Sequence, residues 1–286
     1  MKIFSYTDGT THRSGYCLEG LYYDLGDVHV GGIDALIIQG RLNCDDLAAA
    51  THRVGAQALD PSSLRFLPPV RPGAIIGVGR NYGAHAAEIG PEVQEEPRLF
   101  TKLPRSVIAH GAPIIRPTGV EKLDWEGEVG VVIGRPAKDV SVEDARDHIA
   151  GYLPLNDVTA REFQFDRTPG QTTFAKSMDS FCPIGPVMLV AGPEVDPDGF
   201  TVKSWVNDTL MQEGRTDDLL FPIPYLVSFI SRYVTLMPGD IIATGTPAGI
   251  GHSRKPPLYL QPGDSVRIEV SGLPPLINRV TATIGA

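Results

Sequence analysis

Asp124, Glu126 and Glu128 stand at alternate positions at the head of the run LDWEGEVGVVIG, residues 123–134. The rest of the run is β-branched or apolar apart from glycine, and it reads as a strand ended by Gly134. A strand repeats every two residues, so the three carboxylates point to one face. They repel one another, and each is costly if buried unpaired. A solvated face would explain a lone pair of acids, but Trp125 and the apolar run argue that this strand is covered on at least one side. A divalent cation resolves the repulsion, because Mg²⁺ and Mn²⁺ prefer carboxylate oxygens. A further ligand is offered by Asp157 in NDVTAREFQ (156–164), directly after the strand-like GYLPL. Arg161 and Gln164 follow Asp157 at +4 and +7, offsets that share one helix face.

Three other segments carry chemistry. In GRNYGAHAAEIG (79–90), His85 and Glu88 are three apart and touch if the segment is helical. A glutamate that orients a histidine and supports its charge is a general-base pair, although spacing alone favours an exposed histidine with a neighbouring ion pair. In FAKSMDSFCPIGP (174–186), Lys176 sits in an apolar setting where it could face developing negative charge; a surface lysine is the commoner case. IATGTPAGIG (242–251) is a glycine-rich loop whose N–H groups could bind a carboxylate, with the Thr246 hydroxyl beside them. It lacks the lysine and spacing of a nucleotide P-loop, and IIGVGRNYGA fits the dinucleotide fingerprint poorly.

These groups need a frame to position them. The 286 residues, 42% apolar and 21% charged, suit one large domain or two unequal ones. Thirty-one glycines and 25 prolines without a repeat period indicate many turns and a β-rich α+β fold. The net charge of −9 comes without a Lys/Arg cluster, which makes nucleic acid and anionic membranes poor partners. Cys17, Cys44 and Cys182 are scattered, with neither a disulfide framework nor zinc-site spacing. MKIFSYTDGT has no apolar signal core and no 18-residue apolar run occurs, so a soluble cytoplasmic protein is expected.

Residues 1–70 read as a small N-terminal α+β domain, with a strand at KIFSY, a strand pair at GYCLEGLYYDL and a helix over DDLAAATHRVGAQAL (45–59). Pro68, Pro69 and Pro72 punctuate a linker. Residues 71–286 then alternate short apolar strands with turns, among them IIGVG, RLFTK, APIIRP, GPVMLV, FTVKSWVN, DIIATG and SVRIEV. Ser141 and Asp144 form a capping-box start. Ile223, Leu226, Val227 and Ile230 mark an amphipathic helix beside Pro224. MPGDII and QPGDSV are two turns of the same chemistry, each launching a strand.

Taken in order, G-x-N-Y-x-x-H-x-x-E, D-x-E-x-E, N-D-x-x-x-R-x-x-Q, K-S-x-D-x-F-x-P-x-G-P and T-G-T-P-x-G-x-G closely resemble the fumarylacetoacetate hydrolase family over roughly 74–286. Each motif is weak singly; the ordered set is specific. The N-terminal extension and KPPLYLQPGD (255–264) resemble most the subgroup of 2,4-diketo-3-deoxy-sugar-acid hydrolases and ureidoglycolate lyase-like proteins. The resemblance implies a mixed β-sheet roll, a partly open barrel, in a homodimer. It implies Glu126, Glu128 and Asp157 as ligands of Mg²⁺ or Mn²⁺, with Asp124 in support. It implies His85 and Glu88 as the catalytic pair of a lid helix and Lys176 as the lysine beside the reacting oxygen. Substrate contacts fall to Arg80, Tyr82, Arg161, Gln164 and Thr246.

The implied reaction is hydrolysis of a 2,4-diketo acid of the acylpyruvate type. His85, oriented by Glu88, activates a water that attacks C4. The C3–C4 bond then breaks, leaving an enolate beside Lys176. The same residues without an attacking water suit an oxaloacetate decarboxylase or a keto–enol tautomerase, and a ureidoglycolate lyase is a further alternative. A non-catalytic scaffold ranks below these, because the ligand set and the His–Glu pair are both whole.

Overall fold

The structure, a computed structural model, describes residues 1–26, 32–40, 42, 58–83 and 94–283. In chain order its strands are β1 (Lys2–Thr7), β2 (His12–Leu18), β3 (Leu21–Asp24), β4 (Arg65–Leu67), β5 (Ile75–Gly79), β6 (Arg98–Lys102), β7 (Val107–Ala109), β8 (Ile114–Arg116), β9 (Leu123–Asp124) and β10 (Gly127–Ile133). There follow β11 (Ile149–Asn156), β12 (Thr159–Ala160), β13 (Cys182–Ile184), β14 (Met188–Val190), β15 (Thr201–Val206), β16 (Thr209–Arg215), β17 (Ile241–Ala243), β18 (Ser265–Val270) and β19 (Leu276–Ala282). The helices are few: α1 (Gly32–Ile38), α2 (Thr172–Lys176), α3 (Ile223–Tyr233) and a π turn at Glu162–Asp166.

The largest sheet runs β3-β2-β1-β14-β11-β10-β17-β5-β6, mostly antiparallel, with parallel pairing of β17 and β5. A second sheet runs β16-β15-β18-β19-β8, and β9 pairs with β12 in a two-stranded one. Both longer paths are open at their ends, so the fold is the β-rich mixed-sheet arrangement that the sequence motifs imply.

The centre of the large sheet is buried on both faces. Val129, Val131 and Ile133 pack into one core with α3, while Val132 of the same strand packs into another with Ile3, Leu36, Leu153 and Ile184. That is the period-two alternation of a strand covered twice, which is why β10 is apolar at consecutive positions. Ile223, Leu226, Val227 and Ile230 are all buried on α3. The two Pro-Gly-Asp turns form alike: Asp240 N donates to Met237 O and Asp264 N to Gln261 O, each at 3.0 Å, with Gly239 and Gly263 at φ of +91° and +101°. Ser141 and Asp144 bond reciprocally, but the chain makes only a 3-10 turn at Ala145–His148 before Ile149 enters β11.

Strands on both sides of residue 70 share the large sheet: β1 pairs with β4 and β2, and also with β14. Residues 45–57 of the expected helix lie outside the described residues; Leu59 forms an isolated bridge with Tyr22. Cys17 and Cys182 are buried free thiols. Among the described residues no helix is long and apolar enough to cross a membrane.

Two local expectations are corrected. The run 123–134 is not one strand: β9 ends at Asp124 and β10 begins at Gly127. Between them Trp125 is wholly buried, and Glu126 N turns to the Asn156 side chain at 3.1 Å instead of a ladder partner. Nor do Asp157, Arg161 and Gln164 share a helix. Asp157 N donates to Glu126 O at 2.8 Å, β12 follows, and only then does the π turn begin.

Candidate metal centre and active site

β10 and β11 are antiparallel, with Gly127 opposite Asn156. That register sets Glu126 and Glu128 beside Asp157, which leaves the end of β11. One oxygen from each of the three lies within 4.8 Å of the others, and all three residues are buried. Burial above all, then the charges of Asp157 and Glu126, hold the Glu128 carboxyl well above the usual range, against Lys176 and the Gly245 N–H. Three crowded, dry carboxylates with no histidine or thiol among them suit a hard cation such as Mg²⁺ or Mn²⁺.

Positive side chains close around the cluster. Lys176, at the end of α2, places Nζ 2.8 Å from Glu126 Oε2, 2.5 Å from Asp157 Oδ2 and 2.8 Å from Thr159 Oγ1. Burial opposes its charge, but Asp157 and Glu126 outweigh burial and raise its pKa. Its ammonium also stands 4.9 Å from the centre of the Phe100 ring. Lys102, a residue no motif singled out, is equally buried. Its Nζ lies 2.6 Å from Asp157 Oδ1 and also donates to the Lys176 carbonyl oxygen.

Arg161 spans two acids, with Nε 2.8 Å from Asp124 Oδ2 and a terminal nitrogen 2.6 Å from Glu126 Oε1. Burial works against this guanidinium, yet Asp124 and Glu126 raise its pKa further still. Its other terminal nitrogen donates to Gln164 Oε1 at 2.8 Å. Asp124 in turn accepts the backbone N–H groups of Gly251 and His252 at 2.8 and 2.9 Å, tying the 242–252 loop to Arg161. Only glycine fits at 251, since a Cβ there would stand 1.9 Å from Leu258 O and 2.7 Å from Asp124 Oδ1.

Thr246 is held rather than free. Its hydroxyl donates to Gly127 O at 2.9 Å and accepts from Gln212 Nε2 at 2.8 Å. Gln212 is a second residue that the motifs miss; its Oε1 accepts from Gly127 N at 3.0 Å.

One cavity joins these groups. It is lined by Arg80, Arg98, Phe100, Glu126, Glu128, Arg161, Gln164, Lys176 and Thr246, among others. Three roomier cavities, of about 420, 580 and 530 Å³, gather no comparable carboxylate cluster among the described residues. Arg80 enters the cavity from a left-handed backbone position, φ +57°, just after β5. Tyr82, expected at the substrate, is buried in the core shared with α3 and is not among the described residues that line the cavity. The chain forms an isolated bridge to Leu219 at this point. His85 and Glu88 lie outside the described residues.

Fold and site together define a β-rich protein with a buried carboxylate centre whose oxygens suit a divalent cation. The family model "Fumarylacetoacetate (FAA) hydrolase C-terminal" matches residues 74–281, and the chain belongs to that family. It is 40% identical over 223 residues to "Oxaloacetate tautomerase FAHD2B, mitochondrial" of Bos taurus, covering 78% of this chain and 71% of that protein. Its fold matches a fumarylacetoacetate hydrolase from psychrophilic Exiguobacterium antarcticum with a TM-score of 0.85 at 36% identity over 99% of both chains. It also matches maleylpyruvate hydrolase from Sphingobium sp. SYK-6, solved with manganese(II) and pyruvate, with a TM-score of 0.81 at 27% identity over 99% of both chains.

Proposed function

We propose that this chain is a Mg²⁺- or Mn²⁺-dependent enzyme that works through the enol of a 2-keto acid, and that its reaction is keto–enol tautomerisation of an oxaloacetate-type acid. The observation that carries the reading is the Lys176 ammonium, held within 2.8 Å of Glu126 and Asp157 on the wall of the cavity that Glu128 also lines. The identity to proteins named oxaloacetate tautomerase supports the choice of reaction.

A cation on Glu126, Glu128 and Asp157 would supply Lewis acidity that favours enolate over ketone. Lys176 adds a fixed positive charge at the same wall, in a dry site where such charges act strongly. Arg161 holds Glu126 in place by its 2.6 Å contact. His85, oriented by Glu88, exchanges the proton at C3. In the same proposal the chain acts as a homodimer, which light scattering would check.

Tautomerisation is read by the decay of enol absorbance of freshly dissolved oxaloacetate, with Mn²⁺ and again with EDTA. Chelator-sensitive acceleration is expected; a rate equal to the protein-free control would reject the reading.

Hydrolysis of a 2,4-diketo acid is the second reading, favoured by the likeness to maleylpyruvate hydrolase. It needs a water at C4 activated by His85. Release of pyruvate from an acylpyruvate, followed with a coupled dehydrogenase, would establish it in place of the tautomerase.

A further inference from the structure

We propose that Arg98 binds the second carboxylate of the substrate and makes this site selective for 2-keto diacids over 2-keto monoacids. The proposal rests on the enol reading above and names the residue that sets its substrate class.

Strand β6 carries the argument. Arg98, Phe100 and Lys102 are two apart and therefore share one face. Lys102 reaches Asp157 at the floor of the site, and Phe100 lies against the Lys176 ammonium. Arg98 is the next step outward on that face, and it lines the cavity together with Glu126 and Glu128. Gly79 is its ladder partner on β5. A Cβ at Gly79 would stand 3.8 Å from Arg98 Cδ, so the arginine stem passes over Gly79.

Charge points the same way. With all four ionised, as a bound cation would require, Asp124, Glu126, Glu128 and Asp157 face Lys102, Lys176 and Arg161 in the buried network and leave one negative charge unmatched. A divalent cation turns that into one positive charge, enough for the carboxylate next to the keto group. Arg98 stands outside this balance. It is exposed, and among the described residues it has no ion pair, although Glu95 and Glu96 are near in sequence. An arginine fork on a cavity wall matches a carboxylate through two parallel N–H bonds.

The test compares wild type, Arg98→Met and Arg98→Lys on oxaloacetate and on its 4-methyl ester, which lacks the second charge. Arg98→Met should lower kcat/KM for oxaloacetate about 10- to 100-fold, chiefly through KM, and leave the ester unchanged. Arg98→Lys should keep part of the preference. An unaltered ratio of diacid to ester in Arg98→Met would overturn the proposal. Should wild type turn over neither acid, the tautomerase reading falls, and calorimetry on the Mn²⁺-loaded protein still decides about Arg98. Binding of 2-oxoglutarate weakened by Arg98→Met, with 2-oxobutyrate unaffected, supports the proposal. Equal binding of both acids by both proteins, or no binding at all, overturns it.

Discussion

Lys102 and Asp157 form an ion pair of 2.6 Å in which neither side chain keeps any exposed surface. Breaking a buried pair outright costs about 3–5 kcal/mol, but here Asp157 keeps Lys176 as a second partner. Lys102→Met should lose stability to urea in EDTA by less than that, and adding Asp157→Asn should restore a good part of it. Additive effects of the two changes would show that the pair is not coupled.

Glu128→Gln removes a carboxylate that burial and two acidic neighbours disfavour. Without metal the variant should melt no lower than wild type. Mn²⁺ at 100 times its dissociation constant should stabilise wild type by about 2.7 kcal/mol and leave the variant unmoved. A Mn²⁺ shift retained by Glu128→Gln would remove this residue from the metal site.

The Lys176 ammonium competes with a cation for the lone pairs of Glu126 and Asp157. Lys176→Met should therefore keep or tighten Mn²⁺ binding, read by electron paramagnetic resonance, while turnover falls about 10²- to 10³-fold. His85→Gln should also lose turnover and keep the metal. Wild-type rates in either variant would contradict the assigned role.

Far from the site, Asp24 accepts from Tyr6 Oη and Arg13 Nε, both at 2.6 Å. Partial burial raises its pKa, but these bonds and the Gly26 N–H outweigh it, so the folded value lies below the usual 3.8. A depressed carboxylate stabilises the fold above its unfolded pKa and loses that contribution as pH falls through the folded value. Asp24→Asn should thus be less stable than wild type near neutrality, with the gap closing in acid below about pH 4. A gap that is independent of pH would mean that the charge on Asp24 contributes nothing.

Much of the site could be read from residue order alone, because Glu126, Glu128, Asp157, Lys176 and Thr246 each belong to a spaced motif. Lys102 could not. Period two puts it on a face with Arg98 and Phe100, but nothing local says that Asp157 lies opposite. Gln212 was hidden for a different reason: TLMQEGR is too polar to look like a strand, and its pairing with β15 is what makes β16 one. The break at Trp125 is not legible because alternation through 124–128 looks the same whether the ladder partner continues or changes. The strands around α3 were legible because their burial follows from simple periodicity.

The pairing of β1 with β14 bears on how the chain tolerates trimming. A version starting after Val70 would keep every residue of the carboxylate cluster, yet it would strip Met188–Val190 of a neighbour on one side. A bare, apolar sheet margin is a template for other chains. Such a fragment is expected to self-associate into insoluble material rather than stand alone, since β1 would no longer cover that margin.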